Sequence, residues 1–453
     1  MSTQSVAEQL AARIAALDAK TLPPAVRVKC EDLLVDVAGL CVTARKEDYV
    51  KAALEGCDDD GPCTAIGHAR TLSAGGAAFV NGTAAHGEDF DDTFEGGPVH
   101  AGAVIVPAVL AACERQKRDG RAALLGIAVG CEVMCRLSTV VPKAVHKAGF
   151  HPTAIFGVMG AAAGVAATLG LYAKQIVDAL GIAGSMAGGI IEYLTDGAWT
   201  KRLHPGWAAQ SGYRAALLAR GGFFGPRTVF EGPHGLFYGF ARKPDGDYAA
   251  LLNDFGAQWV IEMLAFKPYP CGTMAHPYID CARRLAARGI KAADIKDMLC
   301  EVGEGTVHRL WEPLALKQRP PNGYAAKFST PFIVASGFMR GGVGLDAFSE
   351  EAVHDRDVLA LAAKVRYVID PNNPYPKAFT GHIRATLNDG RVVEERQPHF
   401  RGGAKEPLTQ ADIVEKFALN ARHGGWNDAR ANGALKVLTK LYDSNVDLTS
   451  LRG

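Results

Sequence analysis

The fifteen residues His86-Gly-Glu-Asp-Phe-Asp-Asp-Thr-Phe-Glu-Gly-Gly-Pro-Val-His100 hold five carboxylates and two imidazoles. They run straight into the apolar segment Ala101 to Ala112, so the charge stands at the mouth of a buried element. Acids in that place can simply cap a helix and suit its dipole. The other use of such a set is acid/base chemistry, in which carboxylates and imidazoles exchange protons with a bound substrate.

Three further histidines stand before proline, in His151-Pro152, His204-Pro205 and His276-Pro277. Each pair precedes a helical pattern, and proline costs least at the first helical position, where its missing N–H would lack a partner anyway. The spacing predicts each histidine at or near a helix start, where backbone donors and the positive dipole end favour a carboxylate or phosphate. His100 precedes a fourth helix. Lys201 lies just ahead of His204 in Thr195-Asp-Gly-Ala-Trp-Thr-Lys-Arg-Leu-His204, a run with too many turn formers for a helix. It predicts a loop-borne cation beside a helix N-terminus. No metal-ligand ladder, no GxGxxG after a strand and no GxxxxGK[ST] accompanies these residues. The set points to proton transfer next to a carboxylate without a cofactor or metal, with His or Asp as acid and base and Lys and helix termini stabilising negative charge.

A rival pattern overlaps the first. Asp89-Phe-Asp-Asp92 has the DxDD form and Asp91-Asp-Thr-Phe-Glu95 the DDxxE form that all-α terpenoid synthases use. No second magnesium-binding motif follows downstream, and aromatic residues are only 8%, few for lining a carbocation cavity.

The elements that must position these residues are mostly helices. Helical periodicity runs from Val6 to Ala44 with a break at Pro23-Pro24, then over Ser73 to Ala85, Ala101 to Arg118 and Ala122 to Val140. It continues from Pro152, over Ala173 to Leu180 and over Ser185 to Leu194. Without an alternating pattern of any length, residues 1–266 read as an all-α bundle. Lys267-Pro-Tyr-Pro-Cys-Gly272 marks a hinge. Beyond it, helix Pro277 to Arg288, strand Asp297 to Val302, a helix from near Ser329 and strand Lys364 to Ile369 follow. A hairpin then pairs His382 to Leu387 with Arg391 to Glu395 across Asn388-Asp-Gly390. Residues 267–400 thus form a smaller α+β domain. After Gly402-Gly403 and the cap Thr409-Gln-Ala-Asp412, residues 401–453 are helical and are expected to rejoin the first domain. The fold class is mostly α.

The bulk numbers narrow the partners. Of 453 residues, 48% are hydrophobic and 21% charged, and the net charge of +1 offers no field for nucleic acid or an anionic membrane. The ten cysteines are scattered singly, with Cys131 and Cys135 at helical spacing in an apolar run, which suits core thiols and a reducing cytoplasm. Met1 to Lys20 carries Glu8 and Asp18 and has no continuous apolar run, so it does not read as a signal peptide. Pro152 to Tyr172 is uncharged over 21 residues, yet its Ala and Gly suit a helix buried in a bundle rather than a membrane span.

Several stretches together resemble the MmgE/PrpD family, which includes 2-methylcitrate dehydratases, cis-aconitate decarboxylases and an iminodisuccinate epimerase. The resemblance lies in Gly87-Glu-Asp-Phe-Asp-Asp-Thr93 with His100, Gly149-Phe-His-Pro-Thr-Ala-Ile-Phe-Gly157 and Gly181-Ile-Ala-Gly-Ser185. It continues in Asp196-Gly-Ala-Trp-Thr-Lys-Arg-Leu-His-Pro-Gly-Trp-Ala-Ala209, Thr228-Val-Phe-Glu-Gly232 and Lys267-Pro-Tyr-Pro-Cys271. It implies a large helical domain with a smaller α+β lid, paired as a homodimer and acting on a small di- or tricarboxylate. Carried over by position, it implies Asp89, His100, His151 and His276 for proton transfer. Lys201 would hold a substrate carboxylate, with Thr93 and His204 beside the substrate. Two features depart from the decarboxylase pattern. The spacing from Thr93 to His100 is one residue longer, and Phe332 ends Lys327-Phe-Ser-Thr-Pro-Phe332 where a functional tyrosine is expected, with Tyr324 as the nearby substitute. A 2-methylcitrate dehydratase-like hydro-lyase is therefore the first expectation, an epimerase the second and a decarboxylase the third. The alternative of another class is a non-catalytic helical dimer that binds a metabolite.

Overall fold

The computed structural model describes residues 4–97, 99–375 and 377–453; Pro98, part of the longer spacing before His100, lies outside them, as does the start of the N-terminal segment at 1–3. Helices of ten residues or more are α1 (Val6–Ala15), α2 (Pro24–Ala44), α3 (Ala74–Gly87), α4 (Gly102–Gln116), α5 (Gly120–Val140) and α6 (Pro152–Leu169). They continue as α7 (Ala173–Met186), α8 (Thr200–Arg220), α9 (His276–Ala287), α10 (Thr330–Arg340), α11 (Gln410–His423) and α12 (Asp428–Leu438). The chain forms two compact units, one of residues 1–265 with 409–453 and the other of residues 266–408.

The first unit is a helical bundle whose centre is made of small residues. A Cβ added at Gly160 would lie 2.7 Å from the Gly130 carbonyl oxygen, and one at Gly164 2.6 Å from that of Gly126. Helices α5 and α6 therefore touch backbone to backbone, which only Gly and Ala faces allow. Both helices are long and apolar enough to cross a membrane, but 89% of each qualifying window is buried within the bundle. Helices α3 and α8 meet in the same way, since a Cβ at Gly82 would lie 2.7 Å from the Gly206 Cα and one at Gly206 would overlap the Phe79 carbonyl. This contact matters for the site, because His86 lies four residues after Gly82 and His204 two before Gly206.

The expected all-α reading needs two corrections. Strand β1 (Asp60–Thr64) pairs with β2 (Thr71–Leu72), and β3 (Thr93–Phe94) with β4 (Leu264–Ala265). These pairs are too short to show an alternating pattern. Nor does a helix span Ser185 to Leu194. Helix α7 stops at Met186, and Gly189, at φ 143°, takes a conformation closed to L side chains. The residues after it run extended, with Ile191 N–H donating to Gly149 O, before a single turn at Tyr193–Asp196.

The second unit carries a four-stranded sheet in the order β6-β5-β7-β8, from β5 (Ile295–Val302), β6 (Val365–Ile369), β7 (Gly381–Leu387) and β8 (Val392–Gln397). Strands β5 and β6 are parallel, so the chain crosses over between them, while β7 and β8 form the expected antiparallel hairpin. Gly390, at φ 89°, supplies the left-handed residue the hairpin turn needs. Ile295, Met298, Cys300 and Val302 alternate into the core with Ile383, Ala385 and Leu387. The unit ends at 408 rather than the expected 400, because Phe266 N–H donates to Gly402 O and holds that segment. Helices α11 and α12 return to the first unit; α11 opens on a capping box in which Thr409 and Asp412 bond reciprocally, and it packs along α2.

Replacing Gly206 by Ala is expected to push α8 off α3 and destabilise the first unit by about 1–3 kcal/mol, because the new methyl meets backbone rather than a flexible side chain. Thermal unfolding of the variant checks this, and an unchanged midpoint would show the helices to be separable at no cost.

Candidate active site

Helix α3 ends at Gly87, where no side chain fits against the Tyr49 ring. Glu88 accepts a hydrogen bond from the Tyr49 hydroxyl at 3.0 Å. Asp89 then takes the left-handed conformation, at φ 56°. Asp tolerates that region better than most residues, though at some strain, and strain of this kind gathers at functional sites. The turn aims the carboxylate at Lys201, whose Nζ donates to Asp89 Oδ1 at 3.3 Å. Both side chains are largely buried, at 15% and 6% exposure for Lys201 and Asp89.

The next two acids face other partners. Asp91 Oδ2 lies 2.7 Å from His86 Nδ1, both side chains being fully buried. Asp92 accepts from Ala101 N–H at 3.0 Å and Gly102 N–H at 2.9 Å, so it holds the start of α4. Burial and the adjacent Asp91 push the Asp92 carboxyl up to about 7 against the lowering effect of these two donors. Thr93 is buried on β3, opposite Ala265.

His100 Nδ1 lies 2.7 Å from the Asp92 carbonyl oxygen. A carbonyl only accepts, so Nδ1 carries the hydrogen and the neutral ring keeps its lone pair on Nε2, the form of a proton acceptor. His151 sits ahead of Pro152 at the start of α6, as expected. His204 does not sit at a helix start. Asp196 and Gly197 form the turn ahead, and α8 begins at Thr200 and takes in Lys201, His204 and Pro205. Pro205, the sixth helical residue, forfeits only the bond to the Lys201 carbonyl. Of the two cations in that first turn, Arg202 stacks on the Tyr49 ring at 4.4 Å, and Lys201 reaches Asp89.

Two of the histidines are joined directly, with Nδ1 to Nδ1 at 3.0 Å between His151 and His204. One ring must donate and the other accept, so one hydrogen is held between the two Nδ1 atoms. Burial, with His86, His204 and Lys201 nearby, holds His151 well below the ordinary imidazole range. Burial, with His86 and Lys201, brings His204 down to about 4. The rings of His86 and His100 stand 4.9 Å apart, His86 and His151 5.8 Å, and His151 and His204 5.2 Å.

Sequence reasoning singled out Asp89, Thr93, His100, His151, Lys201 and His204; all six lie in the first unit, which pairs Asp89 with Lys201 and sets the three histidines together, while Thr93 stands on β3 opposite Ala265. That reasoning passed over any role for His86, which it counted only as one of the two imidazoles of the acid stretch and which stands at the centre of the imidazoles. Its Nε2 is buried without a hydrogen-bond partner among the described residues. It also passed over Tyr193, whose ring stands 5.8 Å from His204 and 6.1 Å from His151. The signal for Tyr193 lay in a segment expected to be helical. With Gly189, Ile190, Leu203, His204 and Trp207, Tyr193 lines a cavity of about 550 Å³. His276 and Tyr324 belong to the second unit. There His276 Nε2 lies 3.1 Å from Cys271 O, its ring between those of Tyr269 and Phe400, and the Tyr324 ring packs 5.5 Å from Phe328.

Residues 8–249 match the MmgE/PrpD N-terminal domain and residues 269–438 the MmgE/PrpD C-terminal domain. The chain belongs to the MmgE/PrpD family. It is 31% identical over 396 residues to the cis-aconitate decarboxylase of Homo sapiens, covering 83% of this chain and 79% of that protein. It is 27% identical over 438 residues to the cis-aconitate decarboxylase-like protein oryM of Aspergillus oryzae, covering 91% and 90%. The cis-aconitate decarboxylase of Mus musculus is 31% identical over 383 residues, covering 81% and 75%. The chain is thus an MmgE/PrpD-family enzyme, with its acids and imidazoles gathered in the N-terminal family domain.

The depressed His204 makes a pH signature. Unfolded, it takes a proton near 6.5; folded, only near 4, so in that window the unfolded state binds more protons and stability falls as pH falls. Asp92 acts oppositely, since a raised carboxyl adds stability that is lost as pH rises through 7. It does so in both proteins and cancels in a comparison. Urea unfolding of the parent and of His204→Gln from pH 7 to pH 4 should therefore diverge, the parent losing on the order of 2 kcal/mol more. Parallel curves would remove His204 from the buried cluster's proton balance.

Proposed function

We propose that this protein is a lyase that moves a proton at the carbon α to a carboxylate of a small di- or tricarboxylate. The observation that carries the reading is the largely buried Lys201–Asp89 pair set beside four imidazoles. Lys201 offers a substrate carboxylate a cation already held in place, and its charge offsets the negative charge that builds on that carboxylate when the α-proton leaves. A neutral imidazole takes the proton. His100, with its lone pair on Nε2, has the required form, and the His151–His204 pair has it at any pH above the low range where these rings charge.

The names of the relatives support a tricarboxylate of the cis-aconitate kind as substrate. The outcome we favour is hydration or dehydration. If the β-hydroxyl departs as water, the electron pair left by the α-proton forms the double bond and a protonated group supplies the leaving hydroxyl with its hydrogen. Return of the proton to the opposite face, an epimerisation, is the second outcome. Decarboxylation ranks third because Phe332, fully buried among apolar residues of the second unit, has no hydroxyl to offer. Incubation with cis-aconitate, 2-methylcitrate and iminodisuccinate in deuterated water, followed by NMR, separates the three outcomes. They read as vinyl and hydroxyl interconversion, deuterium at a retained stereocentre, and loss of carbon dioxide. Lys201→Ala should raise KM at least tenfold for the substrate that reacts, and the reading fails if none of the three reacts or exchanges.

A specific observation favours a second reading. His86, Asp91 and His100 bring one ligand atom each to within 4.8 Å of one another, a separation a metal ion can bridge. Turnover that survives exhaustive chelation supports proton transfer by side chains, and turnover lost on chelation and restored by a divalent ion supports the metal.

The proposal includes pairing of two copies in a reducing cytoplasm. Nine of the ten cysteines are buried and none is bridged. Ile190, Leu203 and Trp207 present exposed apolar surface around the cavity beside His204. Light scattering should give twice the chain mass, falling to the monomer for Trp207→Glu; a monomeric parent would end this part of the reading.

A further inference from the structure

Among the ionisable groups that the chemistry above does not use, one pair reaches the acid stretch from far away in sequence. Lys416, on α11, is 6% exposed, and Asp36, on α2, 1%. The Lys416 Nζ lies 2.7 Å from Asp36 Oδ1. It also donates to the backbone carbonyl of Phe90 at 2.8 Å and stands 4.0 Å from the centre of the Phe90 ring.

We infer that Lys416 is a positioning residue that fixes the Asp89–Asp91 turn. Phe90 stands between the residue that faces Lys201 and the residue that faces His86. Helix α3 has already stopped at Gly87, so the Phe90 carbonyl lies beyond any helical ladder, and Lys416 supplies a charged donor to it. Holding that one peptide plane sets the direction in which Asp89 leaves on one side and Asp91 on the other. The αL conformation of Asp89 strengthens the point, because a strained residue keeps its geometry only when its surroundings over-determine it. A buried ion pair is a poor device for stability alone, since apolar residues of like volume serve as well or better. Here the ammonium also does what an apolar residue cannot, which is to bind a carbonyl. The assignment concerns the turn, and its catalytic consequence rests on the function proposed above.

The test uses the full chain. In the double variant Asp36→Leu with Lys416→Met the pair is replaced by apolar side chains, so no lone charge is buried and the fold is expected to persist. Two readouts are taken beside the parent. Hydrogen exchange in peptides covering residues 86–95 should quicken at least tenfold, while peptides from α6 stay unchanged. Turnover of whichever substrate the parent accepts should fall at least tenfold in kcat, with KM within threefold, per folded molecule. A merely structural lysine would slow nothing per folded molecule and would loosen the bundle uniformly. Should the double variant not fold, Lys416→Arg keeps the charge beside Asp36 and replaces the single donor with a planar fork. Faster exchange in 86–95 with kcat lowered threefold or more then supports the assignment. Parent-like exchange in that segment, in whichever variant folds, overturns it. If the parent turns over none of the three substrates, the exchange readout still decides the role of Lys416, and only the proposed function is struck.

Discussion

A buried centre can hold little uncompensated charge, and the carboxylates of this one answer that constraint. Four carboxylates lie on or beside the stretch after α3, and each is met by its own partner. Asp89 faces an ammonium, Asp91 an imidazole, Asp92 the two N–H groups that open α4, and Asp36 a second ammonium. Within the run of acids itself, Asp89, Asp91 and Asp92 find three separate solutions to one desolvation problem. Asp92, which has only backbone dipoles, is also the one pushed up to about 7. The two imidazoles joined through their Nδ1 atoms are driven the other way and stay neutral. The centre thereby keeps bases that are uncharged at neutral pH beside a fixed cation. That is the division an enzyme needs when it must attract an anion and then take a proton from it.

Positioning at this precision comes from the small-residue contacts. The Gly82–Gly206 approach fixes the spacing between the helix that carries His86 near its end and the helix that carries Lys201 near its start. A larger residue at either place would move one imidazole relative to the other by more than the tolerance of a hydrogen bond. The glycines of α5 and α6 act one layer further in, and the N-terminal end of α6 carries His151. The high Ala and Gly content that makes these helices look weakly amphipathic is therefore the property that brings backbone and ring to the right distance.

How much of this could be read from the sequence depended on whether the signal was local. His151-Pro152 placed its histidine correctly because a proline at the first helical position is a local event. The same dipeptide misled at His204, because Pro205 was carried inside a helix whose start was decided by the Asp196-Gly197 turn and by packing against α3. The hairpin at Asn388-Asp-Gly390 was legible from turn chemistry, whereas β1 to β4 were too short to have a period. The Ser185–Leu194 segment looked helical by composition and was broken by Gly189, whose positive φ no pattern announces. The role of His86 was hidden for a related reason. Its meaning comes from the rings that two other segments bring to it, and a histidine on an apolar helix carries no such information.

The least local contact is also the one on which the acid turn depends. Phe90 and Lys416 are 326 positions apart, and between them lie the rest of the bundle and the whole second unit. Closing a loop of that length adds entropy cost slowly with length, so the separation is no obstacle to stability. It does impose a dependence. The Phe90 carbonyl beside the Asp89 turn meets its ammonium through the docking of α11 along α2. The final helices are thus more than a cover on a finished bundle. They bring the donor that turns five neighbouring acids into distinct groups, and for that reason the acid stretch read alone could show that chemistry was present but not which carboxylate would face it.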